Sequence, residues 1–318
     1  MIKHWTSKEL ATLRAMRARF LDGTAGRADY WCSPEDLALY DATYAERIGW
    51  KWDAVLRELK LRDWQPRSRR VLDWGCGSGV AGRRAIAAWP RLETLALHDR
   101  SARAVRFAAE RAPSGVRMEM NERVDADTLL VLSHVINELS APALARVLDL
   151  AQQAGEVMWV EAGTHADSRR LIAVREALAL PVVAPCTHRR ACGLLTRRNE
   201  RHWCHFFAHP PPAIFQDARW MAFGRELGID LRSLPYSFLV LQRAAAPPAD
   251  GLSRILGAPR DAKGYSRVLS CQAEGVAEFM LQKRDAPALL REVREAPEPP
   301  VFRWTLADGK IVAGEKLA

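Results

Sequence analysis

Val71-Leu-Asp-Trp-Gly-Cys-Gly-Ser-Gly79 runs from a short apolar stretch into an amphipathic one at 80–89. That order predicts a buried strand, a tight turn and a helix start. Glycine admits positive φ and lets backbone N–H groups approach a ligand with no Cβ in between. The helix start adds the positive end of a dipole. Two ligand classes use such a turn. Gly77-Ser-Gly79-Val-Ala-Gly82 fits the G-x-G-x-x-G pattern of dinucleotide sites, a weak pattern by itself. Asp73, two residues before Gly75, separates the two classes. A carboxylate there repels a pyrophosphate and attracts the ammonium of a methionine moiety. The stretch therefore predicts S-adenosylmethionine, held by Asp73, Gly75, Gly77 and Gly79.

Beyond the loop, short apolar runs alternate with amphipathic stretches. Strands are predicted at 71–73, 94–97, 116–120, 129–132, 157–160 and 236–241, and helices at 80–89, 101–111, 141–154, 167–178 and 214–227. The alternation predicts an α/β fold, a doubly wound parallel sheet of the class I methyltransferase type. Asp99 closes the second strand, about 20 residues past the loop, where a carboxylate accepts ribose hydroxyls. A helix N-cap is the competing reading, because a helix opens at Ser101. Glu122, with Asn121, follows the third strand and faces the expected adenine edge.

Open parallel sheets bind ligands at the carboxyl ends of their strands. The fourth strand ends in Ser133-His-Val-Ile-Asn-Glu-Leu139, so Ser133, His134, Asn137 and Glu138 are the candidate catalytic residues. His134 suits a general base and equally a helix cap. The Asn/Asp-Pro-Pro-Tyr/Phe motif of amino-nitrogen methyltransferases acting on bases does not occur in the sequence.

The 318 residues are 48% hydrophobic and 27% charged, ordinary for a soluble globular protein. No apolar run reaches the roughly 20 residues that cross a bilayer, so no membrane partner is expected. The first residues lack the apolar core of a secretion signal, which predicts a cytoplasmic protein. Residues 1–62 read as a helical cap: one helix after Thr6, broken at Asp22–Gly26, a second from Ser33 and a third from Trp50 to Leu61. Residues 63–243 form the cofactor-binding domain, interrupted by a cysteine-rich insertion at 181–212. After a linker at 244–251, residues 252–318 read as a small β-rich appendage of short strands and turns. The net charge is +9, concentrated in pairs such as Arg169-Arg170, Arg189-Arg190 and Arg197-Arg198. Guanidinium forks suit phosphate oxygens, which points to a polyanion such as RNA.

Six cysteines in a cytoplasmic chain do not suggest disulfides. Cys76 in the loop and Cys32 on a helix read as packing residues. Cys186, Cys192 and Cys204 cluster in the insertion, with Cys271 downstream. Thiolates gathered in irregular chain point to a metal or a cluster. The spacing lacks the C-x2-C pairs of zinc ribbons, while His188, His202 and His205 offer replacements for one sulfur. On spacing alone, zinc and iron–sulfur both stand.

Taken together, these stretches resemble the mitochondrial small-ribosomal-subunit assembly proteins of the methyltransferase-like protein 17 type and their bacterial relatives. The likeness runs through most of 35–285. It rests on Asp73-Trp-Gly-Cys-Gly-Ser-Gly79, Ser133-His-Val-Ile-Asn-Glu-Leu139, Val160-Glu-Ala-Gly-Thr164 with Arg169-Arg170, Ala184-Pro-Cys186 and Trp203-Cys-His-Phe206. The resemblance implies a [4Fe–4S] cluster on Cys186, Cys192, Cys204 and Cys271. It also implies action on the small ribosomal subunit or its rRNA, by methylation or in assembly. The alternatives are a non-catalytic assembly factor with a structural cluster, and a zinc-containing methyltransferase with a non-ribosomal substrate.

Overall fold

Apolar runs too continuous to alternate faces belong in the middle of a parallel sheet, covered on both sides. Leu129–Leu132 and Val157–Val160 are such runs, and every one of these residues is buried. A computed structural model describes residues 5–21, 29, 31–246, 248–249, 251–295 and 298–317. The chain divides into two compact units. The first comprises Met1–Leu56, Pro66–Glu161 and Ala208–Leu234; the second comprises Arg57–Gln65, Ala162–Phe207 and Pro235–Ala318.

The first unit opens with helices α1 (Ser7–Leu21), α2 (Pro34–Tyr40) and α3 (Glu46–Leu61), the last as far as Leu56. The expected gap between the second and third helices is absent. Asp41–Ala45 continues the helix as a π-turn, because no glycine or proline between Tyr40 and Glu46 stops it. Ser33 caps α2, its Oγ accepting the Asp36 N–H at 3.1 Å. Cys32 precedes that helix and is exposed, so it is not the packing residue expected. The expected break at Asp22–Gly26 lies outside the described residues.

The sheet follows: β1 (Arg70–Trp74), α4 (Val80–Ala88), β2 (Thr94–His98), α5 (Ala102–Glu110), β3 (Arg117–Glu119), β4 (Thr128–Ser133), α6 (Ala141–Gln153) and β5 (Glu156–Ala162). The strands are parallel, in the order β3-β2-β1-β4-β5. From β1 the chain winds outward to β3, then returns to β4 on the other side. That reversal makes the end of β1 the topological switch point. The fold is the α/β fold of class I methyltransferase type that the glycine loop predicts. Helix starts are capped by side chains: Ser101 for α5 and Ser140 for α6.

In the second unit, α7 (His165–Ala177) packs on β8 (Pro235–Gln242), with Thr164 as its N-cap. β6 (Val182–Ala184) and β7 (Phe206–Phe207) pair antiparallel with β8. Between β6 and β7 the regular structure is two 3-10 turns, Gly193–Leu195 and Arg197–Asn199. α8 (Ala218–Leu227) belongs to the first unit.

The appendage is more ordered than short strands and turns. It contains β9 (Leu252–Ile255), β10 (Arg260–Ala262), β11 (Tyr265–Gln272), β12 (Gly275–Gln282), α9 (Pro287–Arg294), β13 (Val301–Ala307) and β14 (Lys310–Lys316). The strand order is β10-β11-β12-β14-β13-β9, and β9 also pairs with β11. Five strands thus close into a barrel with β10 on its rim. The helix α9, absent from the sequence reading, supplies Leu289, Leu290 and Val293 to the barrel core beside Val268, Leu281 and Phe302. Its eight residues are too few for helical periodicity to show above the flanking strand patterns.

Candidate functional site

The glycine loop folds back on the end of β2. The backbone N–H groups of Gly75 and Cys76 both donate to the His98 carbonyl, at 2.7 and 3.1 Å. Gly79 has φ +81°, and a Cβ there would lie 2.8 Å from the Ala108 Cβ, so both conformation and packing require glycine. Gly77 has φ +51° and nothing within 4 Å of where its Cβ would be. The loop therefore leaves open space above Gly77, a cradle that a side chain would fill. Cys76 is buried, as expected.

Asp73 lies beneath this loop and is fully buried. Its Oδ2 accepts the Gly82 N–H at 2.8 Å, which ties the strand end to the first turn of α4. Its Oδ1 has no partner in the structure. An unmatched buried carboxylate oxygen is costly, and it fits a cationic ligand group above the loop. Burial pushes the Asp73 carboxyl up to about 7, against the N–H of Gly82. A raised carboxyl favours the folded chain at low pH, and that contribution is lost as pH rises from about 4 towards 7. Asp73→Asn, which keeps an acceptor for Gly82 and cannot ionise, is expected to flatten this fall. Urea unfolding of the ligand-free chain at about pH 5 and about pH 8 measures it. An unchanged difference between the two pH values would refute the assignment.

Asp99 is half-buried against the loop. Its Oδ2 accepts the Gly77 N–H at 2.9 Å and its Oδ1 the Ser101 N–H at 2.8 Å. The helix cap is Ser101, not Asp99. Each carboxylate oxygen keeps a second lone pair for a ribose hydroxyl. Burial raises the Asp99 carboxyl, and the two N–H donors hold it back. Glu122 is engaged by Arg146 and stands 3.6 Å from His98 Nε2. Tyr40, missed in the sequence, belongs to the same neighbourhood. Burial raises its phenol, and the carboxylates of Glu138, Asp41 and Asp99 raise it further. Nothing in a lone tyrosine on a helix signals that proximity.

The segment after β4 is held by Glu161, whose Oε1 accepts the N–H groups of Val135 (3.1 Å) and Ile136 (3.0 Å) and the Trp159 indole (2.6 Å). His134 has φ +55°, unusual for a residue with a Cβ. It caps no helix, since a turn follows and α6 begins only at Ala141 behind Ser140. Its Nε2 lies 3.4 Å from Lys51 Nζ. Burial and that ammonium push its pKa well below the ordinary histidine range, so the imidazole is neutral. Ser133 Oγ accepts from the Trp52 indole at 2.9 Å. Glu138 faces Arg100 at 3.4 Å, and Asn137 is exposed. Lys51 and Trp52 both come from α3, a contribution that no local pattern announces.

In the second unit Cys186, Cys192, Cys204 and Cys271 line one apolar cavity, with Leu171, Leu194 and Phe238 among its walls. Cys204 and Cys271 are pushed upward by burial and by the other cysteines, and Cys192 is pushed up to about 11. Four thiolates cannot share a dry cavity without compensating positive charge. Arg175 and Arg254 also line the cavity and supply two fixed cations. Among the described residues, no three His, Cys, Asp or Glu side chains are gathered to hold a single metal ion. The thiols border the cavity rather than converge on a point. His188 Nε2 lies 3.7 Å from Cys271 Sγ; His205 instead stacks on Trp203, and His202 faces Arg201.

The sequence model of the family described as mitochondrial small ribosomal subunit Rsm22 matches residues 40–297. No curated protein matches the chain. Among solved structures, the plantazolicin methyltransferase BamL in complex with a triazolic desmethylPZN analog and SAH is 14% identical, covering 73% of this chain and 98% of its own, with a TM-score of 0.41. A SAM dependent methyltransferase from Aquifex aeolicus is 14% identical, over 48% of this chain and 90% of its own, with a TM-score of 0.37. A precorrin-6y C5,15-methyltransferase from Geobacter metallireducens is 10% identical, over 61% and 87%, with a TM-score of 0.36.

Proposed function

The chain belongs to the Rsm22 family of the mitochondrial small ribosomal subunit, and from that premise we propose that it is an S-adenosylmethionine-binding, methyltransferase-like protein acting on the small ribosomal subunit, with a structural [4Fe–4S] cluster. The observation that carries the reading is the switch-point loop. Open space above Gly77, an unmatched Asp73 oxygen below it and Asp99 beside it suit a ligand with a cationic end and a ribose. When bound, S-adenosylmethionine supplies an electrophilic methyl group. Asp73 sets the first turn of α4, and its buried carboxyl gains negative charge as the cationic methionine end settles above it. Asp99 orients the ribose, and Glu122, fixed by Arg146, borders the adenine edge.

The cysteine cavity supports the cluster. Sulfurs spread around a cavity suit a polynuclear centre, whereas a zinc ion draws its sulfurs to about 2.3 Å. Four cysteine ligands would occupy every iron, which makes the role structural. A second reading, assembly without methyl transfer, is favoured by the β4 end. There Ser133 already accepts from Trp52, and His134 Nε2 faces an ammonium, so neither is free as a base.

Calorimetric titration tests the cofactor assignment. S-adenosylmethionine is expected to bind, and Gly77→Val to weaken it tenfold or more, a loss of about 1.4 kcal/mol. Binding of NAD in place of S-adenosylmethionine would overturn the reading. Transfer of a labelled methyl group to immature small subunits would establish the enzyme; cofactor binding without transfer would establish the assembly factor.

A further inference from the structure

The barrel of the second unit has a connectivity with consequences for the RNA reading, on which the following rests. Counting its closed strands from β9, the order is first, second, third, fifth, fourth and back to first, with β12 and β14 parallel and α9 between the third and fourth strands. This is the connectivity of an OB-type barrel. Such barrels bind oligonucleotides or oligosaccharides on the face of strands two and three and on the loops at one end. The corresponding strands here are β11 and β12.

Register fixes which side chains lie on the outer face. Arg267 pairs with Met280, Leu269 with Glu278 and Cys271 with Val276, while Val268 and Leu281 face the core. β10 extends this face with Arg260 opposite Arg267. At one end of the face, three lysines gather around the loops. Lys263 stands in the β10–β11 turn; Lys283 donates its backbone N–H to the Gly264 carbonyl at 2.8 Å; Lys310 opens β14 opposite Met280. Among the described residues, no ion pair engages any of the three. At the other end the insertion closes over the face. Gly193 packs on Gly275 and Val276, and Asn199 Nδ2 donates to the Val276 carbonyl at 3.1 Å. That contact brings exposed Arg197, Arg198 and Arg201 to the edge of the face. Among the described residues these arginines too make no ion pair.

We propose that single-stranded RNA lies across the β11–β12 face of this barrel, its phosphates engaged by Lys263, Lys283 and Lys310 at one end and by Arg197, Arg198 and Arg201 at the other. Charge selects RNA over a neutral oligosaccharide. Among the described residues the cations at both ends, all exposed except the half-buried Lys310, make no ion pair, whereas the central carboxylate of Glu278 is neutralised by Arg260 and Arg267. Leu269 and Met280 leave a partly apolar strip between the ends, on which bases rest.

The test compares the wild-type chain with Lys263→Gln/Lys283→Gln/Lys310→Gln and with Arg197→Gln/Arg198→Gln/Arg201→Gln. Binding of a small-subunit rRNA transcript and of oligouridylate is measured by filter retention over a range of KCl concentrations. Each triple variant is expected to lose on the order of tenfold in affinity at low salt, and its log–log salt slope to become shallower by about 2, at about 0.7 per single-strand phosphate contact. Arg91→Gln/Arg106→Gln, which removes two charges from exposed positions of the other unit, controls for a general effect of lost positive charge and is expected to change neither quantity. Far-ultraviolet circular dichroism and iron content establish that each variant is folded. Wild-type slopes in both triple variants would overturn this surface while leaving the RNA reading intact. A wild-type chain that binds neither RNA would overturn both. Tighter binding to duplex than to single strand would overturn the single-strand assignment.

Discussion

Replacing Cys204 with serine is expected to strip the chain of iron and to lower its melting temperature sharply. If the proposed cluster is present, anaerobically purified wild-type chain carries about four irons and broad visible absorbance, and the variant carries less than about one iron. Stability falls with the iron, because ligands brought from separated segments make metal-binding energy folding energy. Cys186 follows β6, Cys192 opens a 3-10 turn, Cys204 precedes β7 and Cys271 lies in β11. Three of them lie in the insertion and the fourth, Cys271, in a barrel strand, so the centre would clamp the insertion onto the barrel. Cys32→Ser, at an exposed position, is expected to leave iron and stability unchanged. A colourless wild-type chain with one zinc would assign the cavity to zinc. A wild-type chain holding neither metal would reduce the four cysteines to core.

The second large effect is expected at Glu58. Its carboxylate meets Arg254 through two hydrogen bonds, Nη1 to Oε1 at 2.6 Å and Nη2 to Oε2 at 2.7 Å, and also meets Arg62. The Arg254 and Glu58 side chains are 2% and 4% exposed, and Arg254 lies over the ring of Phe206 at 4.0 Å. Burial works against the Glu58 carboxylate, but Arg254 and Arg62 hold it below the ordinary carboxylate range. Its stabilising contribution is thus present above the ordinary pKa and is lost as pH falls through the depressed one. Glu58→Gln leaves two guanidinium groups without their counter-charge, at a cost of about 3–5 kcal/mol. Denaturant unfolding at neutral pH measures it. Glu58→Leu combined with Arg254→Met and Arg62→Met is expected to recover much of the loss, because a buried ionic group replaced whole by apolar side chains removes the desolvation costs of all three charges. A triple variant as unstable as the sum of the singles would show that the three residues act separately.

Much of the first unit is legible from sequence because its signals are local. Strand, glycine turn and helix at 71–88 follow one another within the reach of backbone sterics, and the caps Ser101 and Ser140 act within three residues. The unbroken passage from the second helix into the third at Glu46, four residues before Trp50, was not legible, since a π-turn differs from a break only in how the following turn packs. Nor was the barrel. Its closure depends on β9 pairing with both β11 and β13, and alternation within a strand carries no record of its partners.

The candidate sites divide along the same line. The turn itself was readable, because the three glycines act through their own backbone. Where Asp73 points was not: it lies under the loop, bonded to Gly82 nine residues on. The tie of Ser133 and His134 to Trp52 and Lys51 was hidden for a different reason, spanning 81 and 83 residues. The four cysteines could be named as a set from sequence, but spacing left the metal undecided.

By itself, the sequence determined the parallel sheet, the glycine turn at its switch point and the identity of the thiols, because propensity, turn chemistry and side-chain charge are properties of residues and near neighbours. Only the tertiary structure decided that the thiols border one apolar cavity, that Arg254 finds Glu58 across 196 residues, and that the terminal strands close into a barrel. Burial and long-range pairing arise when distant segments exclude water together, and no single segment encodes that event.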